Sequence, residues 1–175
     1  MAKRKHTALD FEIDKLTNSI ENTLTGESFP TEVSPITIED LANVRADKVW
    51  QFDWGKDYRT PKHKIYKLTT IADPQTIQGL ISIKIDVDHV FLNLVENAKH
   101  NFGRNKIYEG VPGNLVAFAC KISFEKGFDG FVTFIAKTQL IEHYEKTLKA
   151  IHFRNNKMII TTSAAKELIQ KYFNT

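Results

Sequence analysis

The first part of the chain carries an apolar stripe with helical spacing. Leu9, Ile13, Leu16, Ile20 and Leu24 recur at steps of three and four residues, which places them on one face of a helix. The stripe is narrow, so we expect an amphipathic helix that packs either on the body of the chain or on a partner chain. Packing on its own domain is the simpler interpretation.

The stretch SFPTEVSPITIEDLANV, residues 28–44, predicts a strand followed by a helix. It opens with a proline in a linker-like composition and continues into the short extended piece VSPI. Thr37 and Asp40 then form the capping pattern of a helix that begins near Ile38. Three segments in which apolar and polar residues alternate follow, KIYKLTTI, TIQGLISIKIDVD and DHVFLNLVENA. They predict three consecutive strands in an antiparallel meander.

Helix and strand patterns alternate in the rest of the chain. Residues 97–108 are polar and predict a loop. After this loop come a helix in VPGNLVAFACKISF, the strand GFVTFIAK, the helix TQLIEHYEKTLK, the strand KMIITT and the helix SAAKELIQKYF. The chain therefore combines helices and strands in one α/β (α+β) domain.

The composition predicts a single intracellular domain in the cytoplasm. The 175 residues suit one core, and 42% apolar with 26% charged residues is an ordinary globular balance. Apolar runs stay short of the roughly 18 residues that a membrane span needs, and the N-terminus lacks the apolar core of a signal peptide. Cys120 is the only cysteine, which excludes an intrachain disulfide. We expect Cys120 to be a small buried hydrophobe rather than a nucleophile.

The charge pattern argues against some classes of partner and ligand. The net charge of +3 comes from 24 basic and 21 acidic residues that are interspersed along the chain, which is too balanced to imply a nucleic-acid partner. The six histidines include no pair at metal-ligand spacing, and there is no cysteine cluster. We therefore expect no metal site.

The stretch YEGVPGNL, residues 108–115, places two glycines before a helix. Backbone amides at a helix N-terminus, together with the helix dipole, bind anions without any side chain. Taken alone, Gly-x-x-Gly before a helix more often only connects two elements. Both interpretations stay open until the surroundings of the loop are considered.

The order of elements from Val33 to Phe173 resembles the GNAT superfamily of acyl-CoA N-acyltransferases. The segments that carry the resemblance are SPITIEDL, IQGLISIKID, HVFLNLVENA, GVPGNLVAFACKI, GFVTFIAK and LIEHYEKTLKAIHF, and it covers about four fifths of the chain. The resemblance implies a mixed, mostly antiparallel central sheet flanked by helices. Residues 1–28 would then form a basic tail and an extra N-terminal amphipathic helix, and residues 29–175 the GNAT-like acyltransferase domain.

The resemblance also implies transfer of an acetyl group from acetyl-CoA to a small-molecule or protein amine. In this superfamily a glycine-containing loop between a strand and its helix holds the pyrophosphate of coenzyme A through backbone amides. The cofactor-binding residues that match this loop are Gly110, Val111, Gly113, Asn114 and Leu115.

Acetyl transfer needs a polarised carbonyl, a neutral amine and a proton for the leaving thiolate. Backbone amides at Leu94 and Val95 are available to hold the carbonyl where their strand separates from its neighbour. Glu96, at the end of that strand, is the candidate base, and a solvated strand-end acid is the alternative. Tyr144 matches the superfamily's proton donor. Its place on the apolar face of its helix fits a packed core tyrosine equally well.

The glycine loop departs from the pattern of the superfamily. The usual loop reads Arg or Gln, two residues, then Gly-x-Gly or Gly-x-Ala, whereas here Glu109 precedes glycines that are three residues apart. A carboxylate at that place repels a diphosphate, and Pro112 removes one backbone amide. Lys106 or Arg104 can supply the missing positive charge.

Three functions follow from these observations. The first is an acetyl-CoA-dependent N-acyltransferase, which we expect. The second is a catalytically inactive GNAT-fold module that meets a partner protein, or a second copy, through its N-terminal helix. Its cleft would be filled by side chains such as Phe118 or Tyr108. The third is nucleic-acid binding through lysines and Trp50 and Trp54, but no basic face is visible, and these tryptophans are expected to cover the core or line a substrate mouth.

Overall fold

The computed structural model describes residues 8–16 and 19–173. Its strands form one sheet of seven strands and one of three. The strands are β1 (Ile20–Asn22), β2 (Ser28–Phe29), β3 (Thr31–Pro35), β4 (His63–Thr70), β5 (Gly79–Ile85), β6 (Val90–Asn97), β7 (Tyr108–Glu109), β8 (Val132–Ile135), β9 (Ile151–Arg154) and β10 (Lys157–Ile160). The helices are α1 (Ile38–Ala46), α2 (Trp54–Arg59), α3 (Val111–Glu125), α4 (Ile141–Leu148) and α5 (Thr162–Phe173). Short 3₁₀ turns lie at Lys99–Asn101 and Thr138–Leu140.

The seven-stranded sheet has the order β3-β4-β5-β6-β8-β10-β9. Neighbouring strands are antiparallel except β6 and β8, which run parallel because α3 connects them as a crossover. β10 lies between β8 and β9, so the chain first forms the edge of the sheet and then turns back. The predicted meander of β4, β5 and β6 and the mostly antiparallel sheet are confirmed.

Helices cover both faces of this sheet. On one face α3, α4 and α5 enclose the larger core, in which Leu115 and Cys120 are fully buried. On the other face α1 and α2 cover a smaller cluster that contains Trp50 and Trp54, as predicted for these tryptophans. The first ten residues of α3 are all buried, which is typical of a helix enclosed between a sheet and a second helix.

The predicted N-terminal amphipathic helix is wrong. Residues 8–16, which we call the strap, are extended, and Leu9 pairs in parallel with Ala136 at the end of β8. Leu9 is 2% exposed and Ile13 6% exposed, both inside the core of the chain itself. The expected helix face for a partner or a second copy is therefore not present in the described part of the segment. The basic cluster before residue 8 lies outside the described residues.

A different periodicity in the same segment explains the extended strap. The sequence LDFEID, residues 9–14, alternates apolar and acidic residues at a period of two, which is the period of a half-buried strand. The apolar side chains enter the core, and the acidic ones on the other side meet lysines of the body, as in the 2.9 Å ion pair of Asp10 and Lys137. The three-stranded sheet β2-β1-β7 follows the strap, with Ile20 buried and Leu24 exposed in a turn.

Two elements of the body were not predicted, α2 and β9. α2 begins where the Asp53 carboxylate accepts a hydrogen bond from the Lys56 N–H at 3.0 Å, an N-cap that stabilises even a short helix. β9 is an exposed edge strand. Among the helices of residues 8–16 and 19–173, none has the length and apolarity to cross a bilayer.

Candidate functional site

A cleft opens where β6 and β8 separate. The two parallel strands pair at two positions only, at the beginning of β6, although β6 continues to Asn97. The register between β5 and β6 shifts so that Asn93 is an extra residue in β6. Bulges of this kind bend a strand and are common beside active sites. The two strand edges therefore face a wedge, which we call the cleft.

The N-terminus of α3 lies beside the end of β6. Gly110, its N-cap, has φ +96°, a conformation that favours glycine. The Gly110 N–H donates to Asp14 Oδ1 at 3.1 Å, and Lys106 Nζ donates to Asp14 Oδ2 at 2.9 Å. We call this pair of donors the anion seat. It holds a carboxylate, and the positive end of the α3 dipole adds to its attraction for negative charge.

The other predicted loop residues lie in the first turns of α3 and are buried. Val111 and Leu115 belong to the core, and the Asn114 side-chain amide donates to Thr31 Oγ1 at 2.9 Å. A side chain at Gly113 would collide with the Tyr172 hydroxyl of α5. Close packing of α3 on α5 thus requires glycine at this position, whatever the loop binds.

Tyr144 lies in α4 with its side chain fully buried. Its ring packs edge-on against Phe134 at 5.2 Å and near Phe11 at 5.6 Å between centroids. The hydroxyl donates to the Phe11 carbonyl oxygen at 2.5 Å. Burial, and then the negative charges of Asp10 and Glu12, raise the pKa of Tyr144. The hydroxyl is therefore a neutral hydrogen-bond donor at physiological pH.

The strap runs along the cleft from β8 to the anion seat. The Leu9 N–H donates to the Ile135 carbonyl at 2.8 Å, and the Lys137 N–H donates to the Leu9 carbonyl at 3.0 Å. The Ala136 N–H between them points the other way, to Asn156 of the β10 turn. Because neighbouring residues of a strand bond to opposite sides, Leu9 lies on the edge of β8 that β6 leaves open.

His143, next to Tyr144, also holds the strap. The Ile13 N–H donates to His143 Nε2 at 2.8 Å, so this ring nitrogen is an unprotonated acceptor. His143 lies about 100° around the helix from Tyr144, yet both side chains bond to the strap. The sequence carries no signal for this contact, since its two residues are 130 positions apart.

Glu96 faces α2 and the segment before it. Its carboxylate accepts hydrogen bonds from the Gln51 N–H at 2.6 Å, the Phe52 N–H at 3.2 Å and the Trp54 indole at 2.8 Å. These bonds fix the carboxylate at the end of β6. Of the predicted carbonyl-binding positions, Leu94 packs in the smaller cluster and Val95 in the larger core.

A buried polar cluster lies on the same side of the sheet as Glu96. Asp57 of α2 accepts from the Asn93 amide at 2.9 Å and lies 3.0 Å from His63 Nδ1. Ser82 lies 3.3 Å from the same amide. Within the described residues, Asp57 Oδ2 is buried without a hydrogen-bond partner. This cluster places the extra residue of β6 next to a carboxylate, a combination that the sequence did not indicate.

A groove of about 480 Å³ lies beside the strap, between α4 and α5. Leu16 of the strap forms one wall, and the lysines of its rim are Lys146, Lys149 and Lys171. Lys149 pairs with Glu167 at 2.7 Å. Leu16 also lies close to Gly113 in the first turn of α3.

Solved acetyltransferase structures share this arrangement of strands and helices. Spermidine/spermine N-acetyltransferase SpeG from Vibrio cholerae matches 78% of this chain and 98% of its own, with a TM-score of 0.53 and 13% identity. AtaTR bound with acetyl-CoA matches 79% of this chain and 98% of its own, with a TM-score of 0.54 and 13% identity. An AtaT mutant toxin, bound to the C-terminus of the antitoxin AtaR and to acetyl-CoA, matches 79% of this chain and 97% of its own. Its TM-score is 0.53 and its identity 14%.

This chain has the GNAT fold. The GNAT fold confirms the resemblance drawn from the order of elements and the predicted fold class. At these identities the similarity establishes the fold alone. No protein-family model matches the sequence, and no curated protein matches it.

Proposed function

We propose that the chain is a GNAT-like N-acyltransferase that moves an acetyl group from acetyl-CoA to a primary amine. The observation that carries this proposal is the anion seat at the N-terminus of α3, in the cleft of a GNAT fold. The solved neighbours AtaTR and AtaT are bound to acetyl-CoA. When bound, acetyl-CoA would supply the acetyl group as a thioester.

The residues of the cleft fit an anionic ligand, since the Asp14 carboxylate stands where a phosphate group would bind. The Gly110 N–H and Lys106 Nζ would hold a phosphate oxygen. The amides of Val111 and Gly113 in the first turn of α3 would add further donors, whereas Pro112 has no N–H and the Asn114 N–H donates to the Gly110 carbonyl at 3.0 Å. Lys106 thus supplies the positive charge that the loop itself lacks. The Glu109 carboxylate lies 3.6 Å from the Lys15 ammonium of the strap, which offsets the negative charge of Glu109.

Tyr144 and Glu96 are the proposed catalytic residues. Tyr144 would hold a proton at its hydroxyl for a leaving thiolate, a role that suits a neutral phenol. Glu96 would accept a proton from the amine, directly or through a water molecule. Because neighbouring residues of a strand bond to opposite sides, only one of the Leu94 and Val95 amides faces away from β5, and that amide is the proposed donor to the acetyl carbonyl. The acceptor amine is open; spermidine and spermine, named for SpeG, are the first to try.

Titration calorimetry with acetyl-CoA on the full chain tests the proposal, followed by thiol release in the presence of spermidine, spermine and lysine peptides. We expect micromolar binding that weakens about tenfold or more in Lys106→Gln. The matched control is Lys126→Gln, which removes an exposed lysine at the opposite end of α3. Lys106 also pairs with Asp14, and Asp14→Asn breaks the same pair but keeps the lysine, so weaker binding in Lys106→Gln alone is assigned to the seat. Equal binding by both variants, or none by any protein, would contradict the proposal.

A second candidate function is the inactive GNAT-fold module. The observation that favours it is the burial of Leu9 and Ile13, which makes the strap part of the core. This hypothesis predicts a filled cleft, and it is the strap that fills it. The side chains expected there pack elsewhere, Tyr108 against Phe29 and Phe118 against Tyr66. This module would show no acetyl-CoA binding even when the strap is loosened.

A further inference from the structure

The strap contacts two of the groups that the proposed function needs, Tyr144 and the anion seat, and also the open edge of β8. Leu9 pairs with the open edge of β8, and the Phe11 carbonyl accepts a hydrogen bond from the Tyr144 hydroxyl. The Asp14 carboxylate binds in the anion seat. Tyr144 would have to release this bond before it could donate a proton elsewhere. A ligand that bound along the cleft would meet the strap at each of these places.

Asp14 occupies the seat in the manner of a bound anion. Both of its carboxylate oxygens are used, one by the Gly110 N–H and one by Lys106. Side chains of Lys106 and Asp14 are 26% and 13% exposed, so water screens this pair only partly. Charge-assisted bonds of this kind are stronger than neutral ones. The Gly110 N–H has one hydrogen to donate, and a phosphate beside the Asp14 carboxylate would repel it, so a bound phosphate would displace Asp14 from the seat.

The rest of the strap is built for an exchange of this kind. Its acidic side chains Asp10 and Asp14 pair with Lys137, which follows β8, and with Lys106, which lies in the loop before β7. Its other side-chain contacts among the described residues include hydrogen bonds with His143 and Tyr172 and the ion pairs of Lys15 with Glu21 and Glu109. Leu9 and Ile13, both buried, oppose release, and the partly buried Phe11 and Leu16 pack against the same core. Such a balance between a few anchors and replaceable polar contacts allows a segment to open locally.

We propose that the strap is a built-in competitor of acetyl-CoA, which closes the cleft in the free protein and leaves the anion seat when acetyl-CoA binds. This inference rests on the proposed function. Since the strap and acetyl-CoA are mutually exclusive, the apparent affinity is the intrinsic affinity reduced by the fraction of molecules with an open cleft. Conditions that loosen the strap therefore activate the protein.

A reversible lock of the strap tests this directly. Leu9→Cys and Ala136→Cys, at directly paired positions, would allow a disulfide between the strap and β8. Cys120, the native cysteine, is fully buried and its burial raises the pKa of its thiol, so it does not compete for this bond. The reduced protein is the matched control for the oxidised protein. We expect the reduced form to bind acetyl-CoA and the oxidised form to bind it at least about tenfold more weakly.

A second variant keeps the test valid if the double cysteine protein does not fold. Asp14→Asn removes the negative charge from the seat and keeps the shape of the side chain. We expect it to bind acetyl-CoA about tenfold more tightly than the wild type. Hydrogen exchange of the Leu9 and Ile13 amides, both bonded in the strap, should accelerate when acetyl-CoA saturates the wild type.

The outcomes separate the two proposals. Equal affinity of the oxidised and reduced forms, or acetyl-CoA binding that leaves both amides protected, would overturn the competitor and leave the acyltransferase standing. Absence of acetyl-CoA binding to the reduced form and to a folded Asp14→Asn protein would overturn the acyltransferase itself. The strap would then be a permanent element of an inactive module.

Discussion

Substitution of Glu96 measures how much its hydrogen bonds contribute to the stability of the fold, separately from its proposed role as a base. Glu96→Ala leaves three donors without their acceptor, two backbone N–H groups and the Trp54 indole. Hydrogen bonds to a charged group contribute about 1.5–3 kcal/mol each, less when exposed. The bond from Gln51 is exposed and the other two are partly buried. Taking about 1.5 kcal/mol for each partly buried bond, Glu96→Ala should destabilise the fold by about 3 kcal/mol.

Urea unfolding followed by tryptophan fluorescence measures this loss. Glu96→Gln keeps one oxygen acceptor and should cost about half as much as Glu96→Ala. In a domain of this size, about 3 kcal/mol corresponds to a fall in Tm of roughly 6–12 °C. Glu145→Gln, at an exposed position of α4, is the control and should change stability by less than about 0.5 kcal/mol. If Glu96→Ala were as stable as the control, the anchoring role would be refuted.

Three further predictions concern packing, the strap and pH. Gly113→Ala places a methyl group against the Tyr172 hydroxyl and should cost about 1–3 kcal/mol in a thermal melt; an unchanged Tm would show that α5 shifts freely. Tyr144→Phe loses the bond to the Phe11 carbonyl, so stability should fall by about 1 kcal/mol and acetyl transfer by about 100-fold; full activity would remove Tyr144 from the chemistry. Burial raises the pKa of Asp40, but its ion pair and helix-cap bonds lower it overall, so its stabilisation is lost as pH falls through this lowered pKa. In Asp40→Asn the loss of stability at low pH should be smaller, as measured by urea unfolding at a series of pH values. An unchanged pH dependence of stability would contradict this prediction.

The elements with a clear period were predictable from the sequence. β4, β5 and β6 show the alternation of half-buried strands, and the cap at Thr37 marks the start of α1, where both bonds of the capping box are present. α2 and β9 escaped prediction because short elements carry too few residues to show a period. α2 depends on the cap at Asp53, and β9 on its pairing with β10.

The strap was mistaken for a helix because two periods coexist in one segment. Steps of three and four connect Leu9, Ile13 and Leu16, and steps of two connect Leu9, Phe11 and Ile13. The free edge of β8 decides between them, and that edge exists only after the sheet has formed. The anion seat likewise depends on Asp14 and Gly110, which are 96 positions apart. Distant pairs of this kind leave no local pattern.

The parallel pairing of the strap with β8 also sets an order of events during translation. Tyr144, whose hydroxyl bonds to the Phe11 carbonyl, is made 133 positions after Phe11, which at about 5–20 residues per second takes roughly 7–27 s. During that interval Leu9 and Ile13 have no core to enter, and contacts over such long separations form slowly. A nascent chain of this protein therefore presents LDFEID to the surrounding chaperones well before it can fold back onto the sheet.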